Sequence, residues 1–294
     1  MQIVSWNVQW CCGLDGQVQP QRILDTVQAM GGCDVLCLQE IARNYPQLTG
    51  HPTDVLAQLR ALWPHWHWCF GAAVQEGVGE QARSFGNVIA TRLPVLQVLH
   101  YPLPYPADEG VASMPRMCTV AIVQDPKLGP VRVMTTHLAY HSARQRMAQA
   151  HFLRRLHFEA LSQTVWAPRA MDDGSPYGAK AHPVHAVLCG DFNFNAQANE
   201  YEALASQAAV IECLDAGWPE QVVGARWHDA WRVLHPDTPQ PATFGVHDSH
   251  WSAAPTACDL MWLSNSLRAH AHSMHIDGES QASDHQPVRL VLQA

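Results

Sequence analysis

The chain has 294 residues, of which 47% are apolar and only 15% charged, with a formal net charge of −8. That length and apolar content allow a sizeable core in one unit, and the acidic balance argues against a surface that grips long nucleic acid by its phosphates. The nine cysteines have no framework spacing and no CxxC pair, so they read as reduced thiols in a cytoplasmic protein rather than as a disulfide scaffold or zinc ribbon.

Taken in chain order, the N-terminus MQIVSWNV has neither a basic leader nor a long apolar run, and no membrane span is expected anywhere. Ile3 to Val8 alternates as a strand does. Gln21 to Met30, set between Pro20 and the Gly31-Gly32 stop, predicts a helix. Asp34 to Gln39 predicts a buried strand, and Asp54 to Leu62 a helix capped by Thr53. The tryptophan-rich segment 63–68 reads as core or lid material. Asn87 to Thr91, Met117 to Val123 and Val131 to His137 follow as strands.

Ser142 to Val165 is the longest helical pattern, with apolar positions stepping by three and four from Met147 to Val165. Its Arg144, Arg146, Arg154 and Arg155 read as a solvated face, with a basic wall leading substrate toward His137 as the alternative. Pro168 to Pro183 is a loop by composition, as are Gly217 to Gly224 and Pro236 to Pro241. Val184 to Cys189, Leu260 to Leu263 and Val288 to Leu292 complete the strands. Strands that alternate with helices in places and follow one another elsewhere predict mixed sheets with helices outside them, in a single domain spanning 1–294.

The chemistry sits in polar residues at strand ends. They are Asn7 in SWNV, Glu40 in VLCLQE, His137 in MTTHL, Asp191 and Asn193 in LCGDFN, Asp259 in CDLMWL, and Asp284 with His285 in SDHQPV. One such residue is most simply a turn or a cap. A full series along the chain predicts a site assembled at one sheet edge. Its carboxylates and carboxamides make a hard-oxygen donor set suited to Mg2+ or Mn2+. Glu40 is the best metal ligand in this reading, with Asn7 and Asp284 in support. No P-loop, HExxH or GxSxG motif is present, and Gly77, Gly79 and Ala82 match a dinucleotide fingerprint only loosely.

SWN, LQE, THL, GDFN and SDH, in this order from residue 5 to 287, resemble the motif set of the endonuclease/exonuclease/phosphatase superfamily. The resemblance implies a two-sheet, four-layer α/β sandwich of the deoxyribonuclease I type. It implies hydrolysis of a phosphodiester or phosphomonoester by in-line attack of an activated water with a divalent metal. In that frame Asp191 orients or deprotonates the water and Asn193 positions it or the phosphate. His285 meets the scissile phosphate with Asp259 holding its ring, and His137 is a second phosphate-facing histidine. Asn87, in a GN-strand segment, and Arg116 are weaker candidates for reaching the phosphate.

The THL motif resembles the branch holding tyrosyl-DNA phosphodiesterases, deadenylases, sphingomyelinases and related phosphatases, with two departures. Gln9 stands where many nuclease relatives carry an acidic residue, and Ala139 stands where several of the branch carry Glu. Few lysines and a negative net charge favour a small phosphate ester, a nucleotide or a nucleic-acid end as substrate. Longer nucleic acid is the alternative, a catalytically silent binding protein is a second, and a monomer is expected.

Overall fold

The computed structural model describes residues 1–206, 222, 224–248 and 254–294. Twelve strands are described. They are β1 (Gln2–Asn7), β2 (Val35–Arg43), β3 (His67–Glu76), β4 (Arg83–Thr91), β5 (Val95–Pro102), β6 (Met117–Asp125), β7 (Gly129–His137), β8 (His185–Asp191), β9 (His228–Asp229), β10 (Asp259–Leu263), β11 (Ala271–Ile276) and β12 (Val288–Leu292). They form two six-stranded sheets, ordered β11-β12-β1-β2-β4-β3 and β5-β6-β7-β8-β10-β9. In each sheet one central pair is parallel, β1 with β2 and β7 with β8, and the remaining pairs are antiparallel.

Period-two alternation makes both faces of each sheet apolar. On β1, Ile3 points into the seam between the sheets, where it meets Val133 and Val187, while Val4 and Trp6 point out. The outer face of the first sheet is covered by α1 (Pro20–Ala29) and α2 (Val55–Leu62) through Ile23, Leu24, Val55 and Leu59. The second is covered by α3 (Ala143–Val165) and α4 (Asn199–Ala205) through Leu153, Leu156 and Leu204. A short α5 (Ala230–Leu234) packs at its far edge. The result is the expected four-layer α/β sandwich.

The structure corrects details of the sequence reading. The cap of α2 is Asp54, whose side chain accepts from the Ala57 amide, and not Thr53. Strands β3, β5, β9 and β11 and helices α4 and α5 lay outside the sequence expectation. The glycines at 77 and 79 occupy the β3–β4 hairpin, which excludes a dinucleotide turn. The arginines of α3 do not form a basic wall. Arg146 is paired with Glu200, Arg155 with Glu159, and Arg154 is buried and donates to the carbonyls of Ala203 and Ser206. The loop expected over Gly217 to Gly224 lies mostly outside the described residues. No described helix is long and apolar enough to cross a membrane.

Candidate active site

The central strands deliver the polar residues to one edge of the sandwich. Asn7 ends β1, His137 ends β7 and Asp191 ends β8. His137 and Asp191 are register partners across the parallel pair, and Asp191 and Asp259 are partners across β8 and β10. Gly190 makes this approach possible. It holds φ at +140°, and a Cβ there would lie 1.9 Å from the Thr136 carbonyl oxygen. Glu40 sits where β2 slips register against β4 and takes φ of 60°, and Asn193 takes φ of 53°. Left-handed backbone at two non-glycine residues stores strain of about 1–3 kcal/mol each, a cost tolerated where it aims a side chain.

A cleft of about 220 Å3 is lined by Glu40, Arg116, His137, Asp191, Asn193, Asp284 and His285. Asn7 lies beneath it. Its Nδ2 donates to Glu40 Oε1 and to Asp191 Oδ2, both at 3.0 Å, and so spaces the two carboxylates. Gln9 Nε2 donates to Asp284 Oδ2 at 3.1 Å, so the residue that replaces an acid here orients one instead. Asn193 binds back to the scaffold, its amide to Asp191 Oδ1 at 2.9 Å and its Nδ2 to the Leu138 carbonyl at 3.0 Å.

The two histidines take opposite charge states. Burial would lower the pKa of His285, but Asp259, 2.8 Å from Nδ1, and Asp191 outweigh it and hold the ring well above its ordinary value. His137 is pushed well below that value by burial, Arg116 and His285, and is therefore neutral, with Nε2 at 3.3 Å from Asp191 Oδ2. Phe244 stacks on the His285 ring at 4.5 Å. Burial and the charge of Asp284 raise Glu40 to about 7, and burial raises Asp191 and Asp284.

Arg116 is the cation of the cleft. It is 8% exposed, and its Nε and Nη1 have no protein partner. Asn87 is not brought to this place. It is buried, donates its Nδ2 to the Met117 carbonyl at 2.9 Å and thereby ties one sheet to the other. The rim adds residues that the motifs did not mark: Trp10, Met114, Tyr140 and Phe244. Trp10 is presented by a turn in which Gln9, Trp10 and Cys11 all have positive φ, and no glycine announces it.

Two groups of residues could hold a metal. Asp191, Cys258 and His285 bring one ligand atom each within 4.8 Å of one another. Glu40 and Asp284 both line the cleft, and Glu40 keeps 20% of its side chain exposed. Charge counting favours a cation here: among the described residues, Glu40, Asp191, Asp259 and Asp284, when ionised, face only Arg116 and the His285 imidazolium. The deficit of two positive charges matches one divalent ion.

Similar folds occur among solved structures at low identity. An endonuclease/exonuclease/phosphatase from Beutenbergia cavernae DSM 12333 has 21% identity and a TM-score of 0.64, over 99% of this chain and 71% of that one. A mannosyl-6-phosphatase from Bacteroides thetaiotaomicron VPI-5482 has 16% identity and a TM-score of 0.65, over 100% of both chains. The catalytic domain of human Nocturnin, with bound sulfate, has 17% identity and a TM-score of 0.58, over 99% of this chain and 93% of that one. No curated protein matches the chain significantly. The model of the Endonuclease/Exonuclease/phosphatase family matches residues 4–285, and the chain belongs to that family.

Proposed function

We propose that the chain is a metal-dependent phosphoric ester hydrolase of the THL-containing branch that acts on a small phosphate ester or a nucleic-acid end. The observation that carries this is the meeting of a cation-deficient carboxylate pair, Glu40 and Asp284, with Arg116 and an imidazolium, His285, in one cleft. A phosphate ester needs all of these: a seat for a metal, positive charge for the phosphoryl oxygens, and a base for water.

Glu40 and Asp284 would hold Mg2+ or Mn2+, whose bound charge neutralises the phosphoryl oxygens and the leaving oxygen. The Asp191, Cys258, His285 group suits this cation less well. Its thiol is buried outside the cleft and held protonated by burial, and its imidazole is committed to Asp259.

Arg116 and His285 receive the phosphoryl oxygens, Arg116 through the guanidinium it brings to the cleft wall. Asp259 fixes the His285 ring so that Nε2 faces the cleft. Asp191 takes the proton of the attacking water, since burial has raised its affinity for one. Neutral His137 presents a hydrogen bond and no added charge.

The cleft's small volume and the near absence of lysine, with only Lys127 and Lys180 in the chain, oppose a phosphate-tracking groove. The apolar rim of Trp10, Met114 and Tyr140 suits the organic part of a small ester. Likeness to a mannosyl-6-phosphatase brings sugar phosphates into the substrate panel. The test is a panel of sugar phosphates, nucleotides, phosphodiester headgroups and DNA or RNA ends with Mg2+ or Mn2+, and EDTA as control. Turnover of a small ester that EDTA abolishes supports the proposal. Turnover that survives EDTA overturns it, and nanomolar duplex affinity with a steep salt slope moves the reading to a nuclease acting on longer nucleic acid.

A further inference from the structure

A second cavity, of about 510 Å3, lies on the outer face of the second sheet and shares no lining residue with the catalytic cleft. Its floor is Val120, Ile122 and Met134, its wall includes Leu156 of α3, and its roof is the 167–183 segment that joins α3 to β8. Among the described residues, the hydrogen bonds of 168–183 all stay within that segment. Packing therefore holds this roof over the sheet, and opening it breaks no ladder. Tyr177 stands at the mouth with 74% of its surface exposed, which gives the opening an apolar edge.

Under this roof lies a buried cation. On β7, Val131 and Val133 face the opposite sheet, so Arg132 and Met134 face the cavity side. Arg132 is 4% exposed. Its Nη2 donates to His157 Nδ1 at 2.8 Å, and its Nε and Nη1, both sealed from solvent under the closed roof, have no partner among the described residues. His157 brings no negative charge, because burial and the neighbouring Arg132 and Arg154 keep it neutral. Among the described residues Glu159 is the sole carboxylate lining the cavity, and it is paired with Arg155 at 2.9 Å. Burial lowers Arg132 only to about 10, so it remains charged at neutral pH. A buried charge without a counter-charge is costly, and an anion relieves that cost. The roof adds Arg169, Lys180 and His182 to the same space.

We propose that this cavity binds a monoanionic amphiphile, a carboxylate whose apolar body lies on Val120, Ile122 and Met134 and whose oxygens meet Arg132. A bare oxyanion leaves the apolar floor uncovered, and a neutral chain leaves the guanidinium unpaired. The site is independent of the catalytic reading, since Arg132 precedes His137 on β7 by a span of about 17 Å.

Calorimetric titration of the full chain with octanoate, octanol and inorganic phosphate tests the proposal. Octanoate binds at one site and octanol at least about tenfold more weakly, the scale of one hydrogen bond to a charged group, while any phosphate binding is unchanged by Arg132→Met and so belongs to the catalytic cleft. Arg132→Met lowers octanoate affinity by about the same factor. Ala160→Phe, which keeps the arginine and narrows the cavity by one ring, weakens octanoate binding and reports on the site even where Arg132→Met does not fold. Equal affinity for octanoate and octanol, no octanoate binding at millimolar concentration, or full octanoate affinity in either folded variant overturns it.

Discussion

Arg116 and Arg132 are two buried arginines in the second sheet layer, 8% and 4% exposed, and both leave Nε and Nη1 without a protein partner. Their surroundings differ. Arg116 loses proton affinity to burial but regains some from Glu40 and Asp191. Arg132 is lowered to about 10 by burial, with only Tyr101 and Cys118 acting against it and no carboxylate. The catalytic cleft thus holds an excess of acid and calls for a cation, while the roofed cavity holds an unmatched cation and calls for an anion. On the two proposals, the same side chain meets a substrate in one place and a ligand in the other, and local charge balance makes the difference.

The largest expected effect separates the two regions outright. Glu40→Gln keeps the shape of the cleft and removes charge, and activity should fall by about two orders of magnitude or more, the scale of a lost main electrostatic contribution. Arg132→Met should leave that activity unchanged. Arg116→Met should reduce kcat by about a hundredfold, because it removes the fixed cation of the cleft that faces the phosphoryl group. Steady-state kinetics on the purified variants, with circular dichroism as the folding control, checks all three.

Asp259→Asn gives a smaller effect that depends on pH. The raised pKa of His285 keeps the ring cationic up to its folded-state value, and the cation is lost as pH rises through that value. Removing the aspartate charge moves this loss to lower pH. The variant should therefore be impaired by about tenfold more at pH 8 than at pH 6. Parallel pH–rate profiles in the two proteins would contradict the pairing.

The smallest effect is on stability. Glu40 titrates at about 7 in the folded chain against an ordinary 4.5, so the folded state binds the extra proton between those values. Stability of the metal-free protein from this group is full below about 4.5 and declines as pH rises through 7. Glu40→Gln should thus stabilise the metal-free protein at pH 8 by about 1–2 kcal/mol, while Mg2+ should stabilise the wild type and not the variant. Urea unfolding with and without Mg2+ reads both.

Much of the cleft could be read in the sequence because its residues end central strands, and central strands are short apolar runs with polar stops. LCGDFN announces β8, the close glycine approach and Asp191 together. Asn87 reads the same way, as a polar residue in an apolar strand, and its amide nitrogen donates to the Met117 carbonyl between the sheets. Strand β5 was missed because its sequence, VLQVLHYP, has apolar residues on both faces and no clean alternation. Trp10 could not be placed because its turn uses positive φ without glycine. Arg132 reads as an ordinary outward residue of a strand, and it is buried because α3, through His157, and the 167–183 roof both cover that face.

The central claim is that Glu40 and Asp284 seat a divalent cation for phosphate-ester hydrolysis in this cleft. Its most direct test measures kcat/KM for the best small ester in the panel, for wild type and Glu40→Gln, across a Mg2+ titration with an EDTA arm. Saturable Mg2+ activation of the wild type, loss of activity in EDTA, and a rate lower by about two orders of magnitude in the variant at every Mg2+ concentration are expected. Equal Mg2+ activation in both proteins, or wild-type turnover that persists in EDTA, would contradict it.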